Sequence, residues 1–472
     1  MNYRVFISIY ALILIAITGL AVNTGCANIV PPQGGFRDSI PPELVKANPV
    51  DSTTNFSGKK INFTFDEYIT VENFQQEVIV SPLPKIFPTE ISKLNTITVT
   101  LKDTLEPNTT YTINFGNSIK DVNEGNVMRN FSYVFSTGPR VDSLTFRGNV
   151  ILAESGKTDS TLTVVLYKNP DDSAVVKERP RYVTRLDKNG NFVFRNLPGG
   201  TFYVYALKDD TRSYRYLDRK ALFAFADSPV IVGPATPSKT LLAYQAEKAN
   251  QNASSASTST GKPNANDKRL KFQTSLGSAG SQDLNKKFSL IFERPLRNFD
   301  SSKIRFSSDT SYAPVTGYSW TIDSTRKKVT LNYTWNEGVM YHFIMQKDFA
   351  SDTLGQQLLR PDTITFKTMS RTDYGQLSIR FRNLDLSKNP VALFVLNDEV
   401  LSSYPLTSDR LVQPLFVPAD YEIRILYDVN KNGVWDPGQF FGKHIQPEIV
   451  KPITTRKFTV RPNWENEFEI AL

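Results

Sequence analysis

The chain of 472 residues has one cysteine and two histidines, His342 and His444. One thiol cannot close an internal disulfide, and with two distant histidines it cannot complete a structural zinc set. Haem attachment, iron–sulfur ligation and Cys–His catalysis lose their ligands by the same count. Charge of one sign is also scarce: 55 Lys and Arg stand against 47 Asp and Glu, a net +8. The basic residues are scattered, so no nucleic-acid footprint forms. The small excess reads as a solubilising surface, with attraction to an anionic envelope as the alternative. There is no phosphate loop, no GxGxxG after a strand, no GxSxG and no HExxH. Helical periodicity is missing beyond Val22. What remains is a globular balance, 40% hydrophobic and 22% charged.

The first feature present is apolar. Val5–Val22 (VFISIYALILIAITGLAV) follows Arg4, the only basic residue before it. A positive start and an apolar run of this length, about 18 residues, make a targeting segment that barely suffices to span a bilayer. Asn23-Thr24-Gly25-Cys26 comes next, so the only cysteine stands directly behind a small residue. This resembles a bacterial lipoprotein signal, although Asn23 occupies a position where an aliphatic residue is usual. The resemblance implies residues 1–25 as signal peptide, cleavage after Gly25, acylation of Cys26, and residues 26–40 as a tether. It also implies a membrane partner and a place in the cell envelope, the outer membrane of a Gram-negative bacterium. The residues themselves leave open an uncleaved single-span anchor, or a chance cysteine after a secretory signal.

From Pro41 onward the dominant signal is alternation with period two. Lys60–Phe65 (KINFTF), Thr96–Leu101 (TITVTL) and Tyr111–Phe115 (YTINF) each set apolar residues on one face and Thr or Asn on the other. That is the pattern of half-buried strands, and it predicts an all-β protein. The pattern repeats. Tyr111, Ile113 and Phe115 have counterparts in Tyr341, Phe343 and Met345; Phe202, Val204 and Ala206 match Tyr421, Ile423 and Ile425. A common order at a common offset predicts two unlike modules written twice, A–B–A′–B′. Residues 41–139 form A, 142–244 B, 284–370 A′ and 373–472 B′. Between the halves, residues 245–283 are rich in Ala, Ser, Asn, Thr and Gly. They read as a disordered linker that lets the two pairs reorient.

Pro41-Pro42-Glu43-Leu44-Val45, Ile61–Glu67 (INFTFDE), Leu105–Tyr111 (LEPNTTY) and Phe135-Ser136-Thr137-Gly138 together resemble the SbsA-type bacterial Ig-like domain. The likeness extends loosely to A′. Seven or so short strands can bury their apolar faces by packing two sheets, with Ile61, Phe63, Phe65, Val99, Tyr111, Ile113 and Phe135 as core. Asp66-Glu67 could serve acid–base chemistry, but it stands at a strand end without a nearby His, and a turn role is favoured. In B, Thr184–Ala206 carries an Asp187, an Asn189-Gly190 turn, the alternating Phe192 and Phe194, a Leu197-Pro198-Gly199-Gly200 corner, then Phe202 and Val204. This resembles the carboxypeptidase-regulatory-like, transthyretin-like sandwich, a non-catalytic accessory fold. B′ keeps the strand but lacks the corner glycines.

B′ adds Asp428–Gly438 (DVNKNGVWDPG). Asp428, Asn430 and Asn432, the Val434 carbonyl and Asp436 fall at the spacing of a calcium loop. Gln439 replaces the closing bidentate Glu, so only two carboxylates would face the ion. A rigid turn held by Asx hydrogen bonds is the favoured reading, with calcium as the one candidate cofactor. The rings of Tyr214, Tyr216, Trp435, Phe440 and Phe441 could stack on sugars, though packing is favoured. His342 is expected to face solvent from its strand, and His444 to be a structural or surface residue of a loop. No catalytic residue is assigned. The chain is expected to be a non-enzymatic, lipid-anchored envelope scaffold whose partner is an envelope protein or glycan. The alternative is a glycan- or peptide-binding surface lipoprotein with a weak calcium loop.

Overall fold

The computed structural model describes residues 11–14, 38–247, 269–277, 280–309, 311–453 and 457–472. Gly25 and Cys26 lie outside them, as does residues 248–268 of the expected linker. No helix among the described residues is long and apolar enough to cross a membrane. The described chain divides into two compact units. One runs to Val80 and from Pro84 to Val141; the other comprises Ser81–Leu83 and Asp142–Leu472.

The first unit holds β1 (Leu44–Asn48), β2 (Lys60–Phe65), β3 (Ile69–Val71), β4 (Ile79–Ser81), β5 (Thr89–Lys93), β6 (Thr96–Thr100), β7 (Thr110–Asn114), β8 (Ile119–Asp121), β9 (Val127–Met128) and β10 (Ser132–Ser136). One sheet has the order β1-β2-β6-β5, the facing one β10-β7-β4, and β3-β8-β9 forms a third. Alternation decides what each strand buries. Ile61, Phe63 and Phe65 of β2 point inward with Ile97, Val99, Ile113, Tyr133 and Phe135, all at most 1% exposed. Phe63 meets Phe115, Phe131 and Tyr133 edge-on, an arrangement the ring quadrupoles favour. The outward residues are polar, and Thr98 Oγ1 donates to Asn62 Oδ1 across the pair at 2.8 Å.

The second unit contains three sandwiches. The first has β11 (Leu144–Leu152), β12 (Thr163–Tyr167), β13 (Tyr182–Arg185), β14 (Asn191–Leu197), β15 (Gly200–Leu207), β16 (Phe223–Phe225), β17 (Val230–Val232) and β18 (Lys239–Ala243). Its sheets are β14-β11-β18 and β13-β12-β15-β16, with β17 beside the start of β15. Gly190 makes the β13–β14 turn at φ 79°, where a Cβ would sit 2.7 Å from the Val150 carbonyl oxygen. Phe192, Phe194, Phe202 and Val204 are all buried in one core.

The second has β19 (Phe272–Thr274), β20 (Ser281–Gln282), β21 (Ser289–Phe292), β22 (Leu296–Phe299), β23 (Ile304–Ser308), β24 (Ala313–Pro314), β25 (Ser319–Ile322), β26 (Lys328–Asn332), β27 (Met340–Met345), β28 (Ala350–Asp352) and β29 (Asp362–Thr368). Its order β19-β21-β26-β25 matches β1-β2-β6-β5, and β22 pairs β28 as β3 pairs β8. The linker expected up to residue 283 is corrected at its end. Leu270 is buried in this core, β19 adds an edge strand, and β20 runs parallel to β29. One apolar residue in two was too short a signal to mark strands of two or three residues.

The last sandwich has β30 (Gly375–Arg382), β31 (Pro390–Leu396), β32 (Glu399–Pro405), β33 (Arg410–Phe416), β34 (Asp420–Tyr427), β35 (Ile449–Pro452), β36 (Phe458–Thr459) and β37 (Glu465–Ala471). Its sheets, β33-β30-β37 and β32-β31-β34-β35 with β36 on β34, reproduce the first sandwich strand for strand. The protein is therefore all-β, a tandem of duplicated sandwiches. At the corner where glycines are missing, the Tyr421 hydroxyl donates to the Val417 carbonyl at 2.8 Å and holds the turn.

Candidate functional site

The Asp428–Asp436 loop leaves the end of β34, and the chain that follows it, from Gly438 to Val450, meets the first sandwich of its unit. Asp428 is 2% exposed. Its Oδ1 accepts from the Lys431 amide at 2.6 Å, and its Oδ2 from the Gly433 amide at 2.6 Å. Asn430 Oδ1 accepts from the Asn432 amide at 3.0 Å, and Asn432 Oδ1 from the Val434 amide at 2.7 Å. These are two successive Asx turns. They aim the Nδ2 groups of both asparagines at Asp436 Oδ2, at 2.6 and 2.7 Å.

Glu448, absent from the sequence-based set, completes the loop. Buried beneath it, Glu448 accepts from the Val429 amide at 2.7 Å and from the Asp436 amide at 3.0 Å. The Glu448 carbonyl takes the Trp435 indole N–H at 2.8 Å. No spacing signal marks it, since it lies beyond the loop on the approach to β35. Both buried carboxylates thus accept backbone N–H groups, and the asparagines present nitrogen rather than oxygen inward. As arranged, these donors suit a self-closed turn; a cation would need both amides turned over. Among the described residues, no group of three or more His, Cys, Asp or Glu side chains is placed to hold a metal. The counterpart loop in the first sandwich is closed the same way: Asp209 accepts from the Thr211 and Tyr214 amides and from the Thr211 and Ser213 hydroxyls.

Of the rings that could have stacked on sugars, Tyr214, Tyr216 and Phe440 are buried, Phe441 is half-buried against Tyr216, and Trp435 is half-buried against the last sandwich itself. Phe440, 4% exposed, has its ring centroid 5.4 Å from Tyr205, 5.3 Å from Phe223 and 5.1 Å from Phe225. Tyr214 and Tyr216 are buried, with Tyr216 stacked on Phe223 at 4.2 Å. Phe441 stacks on Tyr216, and the Arg219 guanidinium lies over the Phe441 ring, 5.7 Å from its centroid. Gly438 packs so close to Tyr244 that a Cβ there would come within 2.8 Å of the ring.

Backbone and charge follow the rings. The Val450 amide donates to the Ala153 carbonyl at 2.9 Å, and Gln446 Nε2 to the Phe225 carbonyl at 3.1 Å. His444 Nε2 lies 2.8 Å from both oxygens of Asp172, with its ring stacked on Phe440. Asp398 bridges Lys157 at 2.6 Å and the buried Arg424 at 2.8 Å, and Arg424 also meets Glu422. The hydrogen bonds from Lys157 and Arg424 hold the Asp398 carboxyl below the usual carboxylate range. The first and last sandwiches of this unit are thereby docked. The expectation that the linker lets the two halves reorient freely is corrected, because B and B′ share an aromatic interface that sequence separation concealed.

His342 is likewise corrected. It lies on the face of β27 opposite Tyr341 and Phe343, as alternation requires, yet it is 4% exposed. Tyr312 covers it at 4.4 Å, Thr365 Oγ1 lies 2.9 Å from Nδ1, and the Asp309 carbonyl lies 3.0 Å from Nε2. Asp66 has the strand-end role: its amide and carboxylate both engage the backbone of Glu43. Burial, then the nearby carboxylates of Asp121, Asp66, Asp38 and Glu124, push the Glu67 carboxyl up.

Residues 38–137 match the family of bacterial Ig-like domains. No curated protein matches the chain. Among solved structures, the N-terminal part of the bacterial S-layer protein SbsC is 17% identical, over 43% of this chain and 44% of that one, with a TM-score of 0.17. The chain therefore spans under half of that SbsC fragment. BcpA, the major pilin subunit of Bacillus cereus, is 9% identical over 69% of this chain and 99% of its own, with a TM-score of 0.17. The Bacillus anthracis TIE protein is 11% identical over 93% and 76%, with a TM-score of 0.16.

Proposed function

We propose that this chain is a non-enzymatic scaffold of the bacterial cell envelope, lipid-anchored through Cys26 and carrying β-sandwich modules outward from the membrane. The observation that carries the reading is the use made of the most chemically versatile surface in the sequence. The Asp428–Phe441 segment and the aromatic edge it meets join two modules into one body. A buried Phe440, two carboxylates closed on backbone amides and a glycine pressed against Tyr244 suit mechanical coupling. Stacked modules separate an interaction surface from a membrane, and docking keeps that separation fixed. The Ig-like match at residues 38–137 fits a surface-exposed role.

Acylation supplies the other half. One acyl chain binds membranes marginally, whereas several on one cysteine act additively. Cells expressing the chain are fed a radioactive fatty acid, and label is expected in the wild type and absent from Cys26→Ser. Equal label in both, or none in either, overturns the anchor.

A further inference from the structure

The last strand, β37, is an edge. It pairs in parallel with β30 over seven consecutive residues, Gln376↔Glu465 to Arg382↔Ala471, with no bulge. The ladder bonds that frame it, Gln376 N–H to the Trp464 carbonyl at 2.9 Å and Leu472 N–H to the Arg382 carbonyl at 3.1 Å, fix its phase. In a parallel pair, alternate residues of a strand direct both backbone groups to one side. Asn466, Phe468 and Ile470 therefore bond β30, and Glu465, Glu467, Glu469 and Ala471 turn N–H and C=O outward. Among the described residues no other strand pairs with this edge. Its counterpart β18 is likewise terminal in its sheet, but there the next residue, Tyr244, makes an isolated antiparallel bridge to Phe223.

The same outward-bonding residues place three glutamates on the solvent face of β37. Glu469 is paired with Arg382; among the described residues Glu465 and Glu467 have no ion pair. On the opposite face Phe468 is half-buried and packs on Phe458 at 4.8 Å. Self-association is disfavoured by this pattern. Antiparallel pairing of two copies centred on Glu467 sets glutamate opposite glutamate, and centring on Phe468 sets Glu467 opposite Glu469. Like charges directly opposite are destabilising.

We propose that β37 is a strand-addition site for an extended segment of another protein that alternates Lys or Arg with apolar residues. Main-chain bonds to the outward groups of Glu465, Glu467 and Glu469 would supply the ladder. The basic side chains would meet Glu465 and Glu467, and the apolar ones would extend the Phe468–Phe458 face. This deepens the scaffold reading by naming a partner's chemistry, and it does not need the anchor: lipid labelling tests one and peptide binding the other.

The probe is a fluorescent seven-residue peptide alternating lysine and valine, titrated into the full chain and followed by anisotropy. Saturable binding is expected, with the same composition arranged in blocks, and the backbone N-methylated alternating peptide, each at least about tenfold weaker. Glu465→Lys with Glu467→Lys is expected to weaken the lysine–valine peptide by about tenfold and to favour a glutamate–valine peptide instead. Block and alternating peptides binding equally, or charge reversal leaving the affinity unchanged, overturns the proposal. So does concentration-dependent dimerisation of the chain without peptide that the charge reversal abolishes. Should the double variant fail to fold, hydrogen exchange on the wild-type chain decides. Peptide-induced protection of the Glu467 and Glu469 amides is expected, and protection elsewhere only refutes it.

Discussion

Replacing Phe440 with alanine tests the docking of the two sandwiches most directly. The ring is 4% exposed and touches Tyr205, Phe223 and Phe225 of one module while its own backbone belongs to the other. It belongs to neither sandwich core. Truncating a buried phenylalanine costs about 3–5 kcal/mol through lost transfer energy and the cavity left behind. The remaining side-chain ties are weaker. Lys157 and Asp398 are 48% and 67% exposed, and an exposed pair contributes about 0–1 kcal/mol. Phe440→Ala should therefore remove most of the coupling and leave both cores intact. Calorimetry is expected to split the transition of this unit, and hydrogen exchange to lose protection at the Val450 amide, which bonds Ala153. Lys157→Ala should change either readout by under about 1 kcal/mol. A single transition with the Val450 amide still protected would show that the modules are held by something other than this ring.

Two further outcomes follow from charges. In the first unit Glu90 of the edge strand β5 faces inward beside Val99, with Oε2 buried and unpartnered, and burial pushes its carboxyl up. A raised native pKa means that the charged form opposes folding above that pKa and that the penalty fades as pH falls through it. Glu90→Gln is expected to raise the unfolding temperature at pH 7, with the gain shrinking toward pH 4; an equal shift at both pH values would refute the assignment. Calcium at tenfold its dissociation constant would stabilise a binding fold by about 1.4 kcal/mol. The self-closed Asp428 loop is expected to show no such rise at millimolar calcium, and a saturable rise would show the two amides turned outward to offer oxygen.

Strand faces were legible in the sequence wherever alternation lasted five residues or more. The inward set of β2 was named from period, the Phe192–Phe194 and Phe202–Val204 pairs from alternation together with a family resemblance, and each is buried. Short pieces were not legible. Phe272–Thr274 and Ser281–Gln282 are strands because β21 and β29 offer them partners, not because of their own pattern. The Asp428 loop was visible as a set of oxygen side chains at fixed spacing, but Glu448 lies beyond any local pattern. Spacing also could not say whether the asparagine oxygens face a cation or the backbone, since either rotation satisfies the same sequence.

Composition and period by themselves determined that this is an all-β chain of duplicated modules with an apolar start and a single cysteine behind it. These properties are local, because a strand's face is set by its own alternation and a thiol count by arithmetic. Tertiary structure alone decided what the aromatic and charged loops do. Phe440 and Tyr216 lie more than two hundred residues apart in the sequence, and only the fold brings their surroundings into one interface. Whether a ring is exposed or buried depends on what distant chain covers it. Period along a strand carries no information about that cover, so the burial of His342 was unreadable until the fold supplied it, and the packing favoured for Phe440 had no named partner.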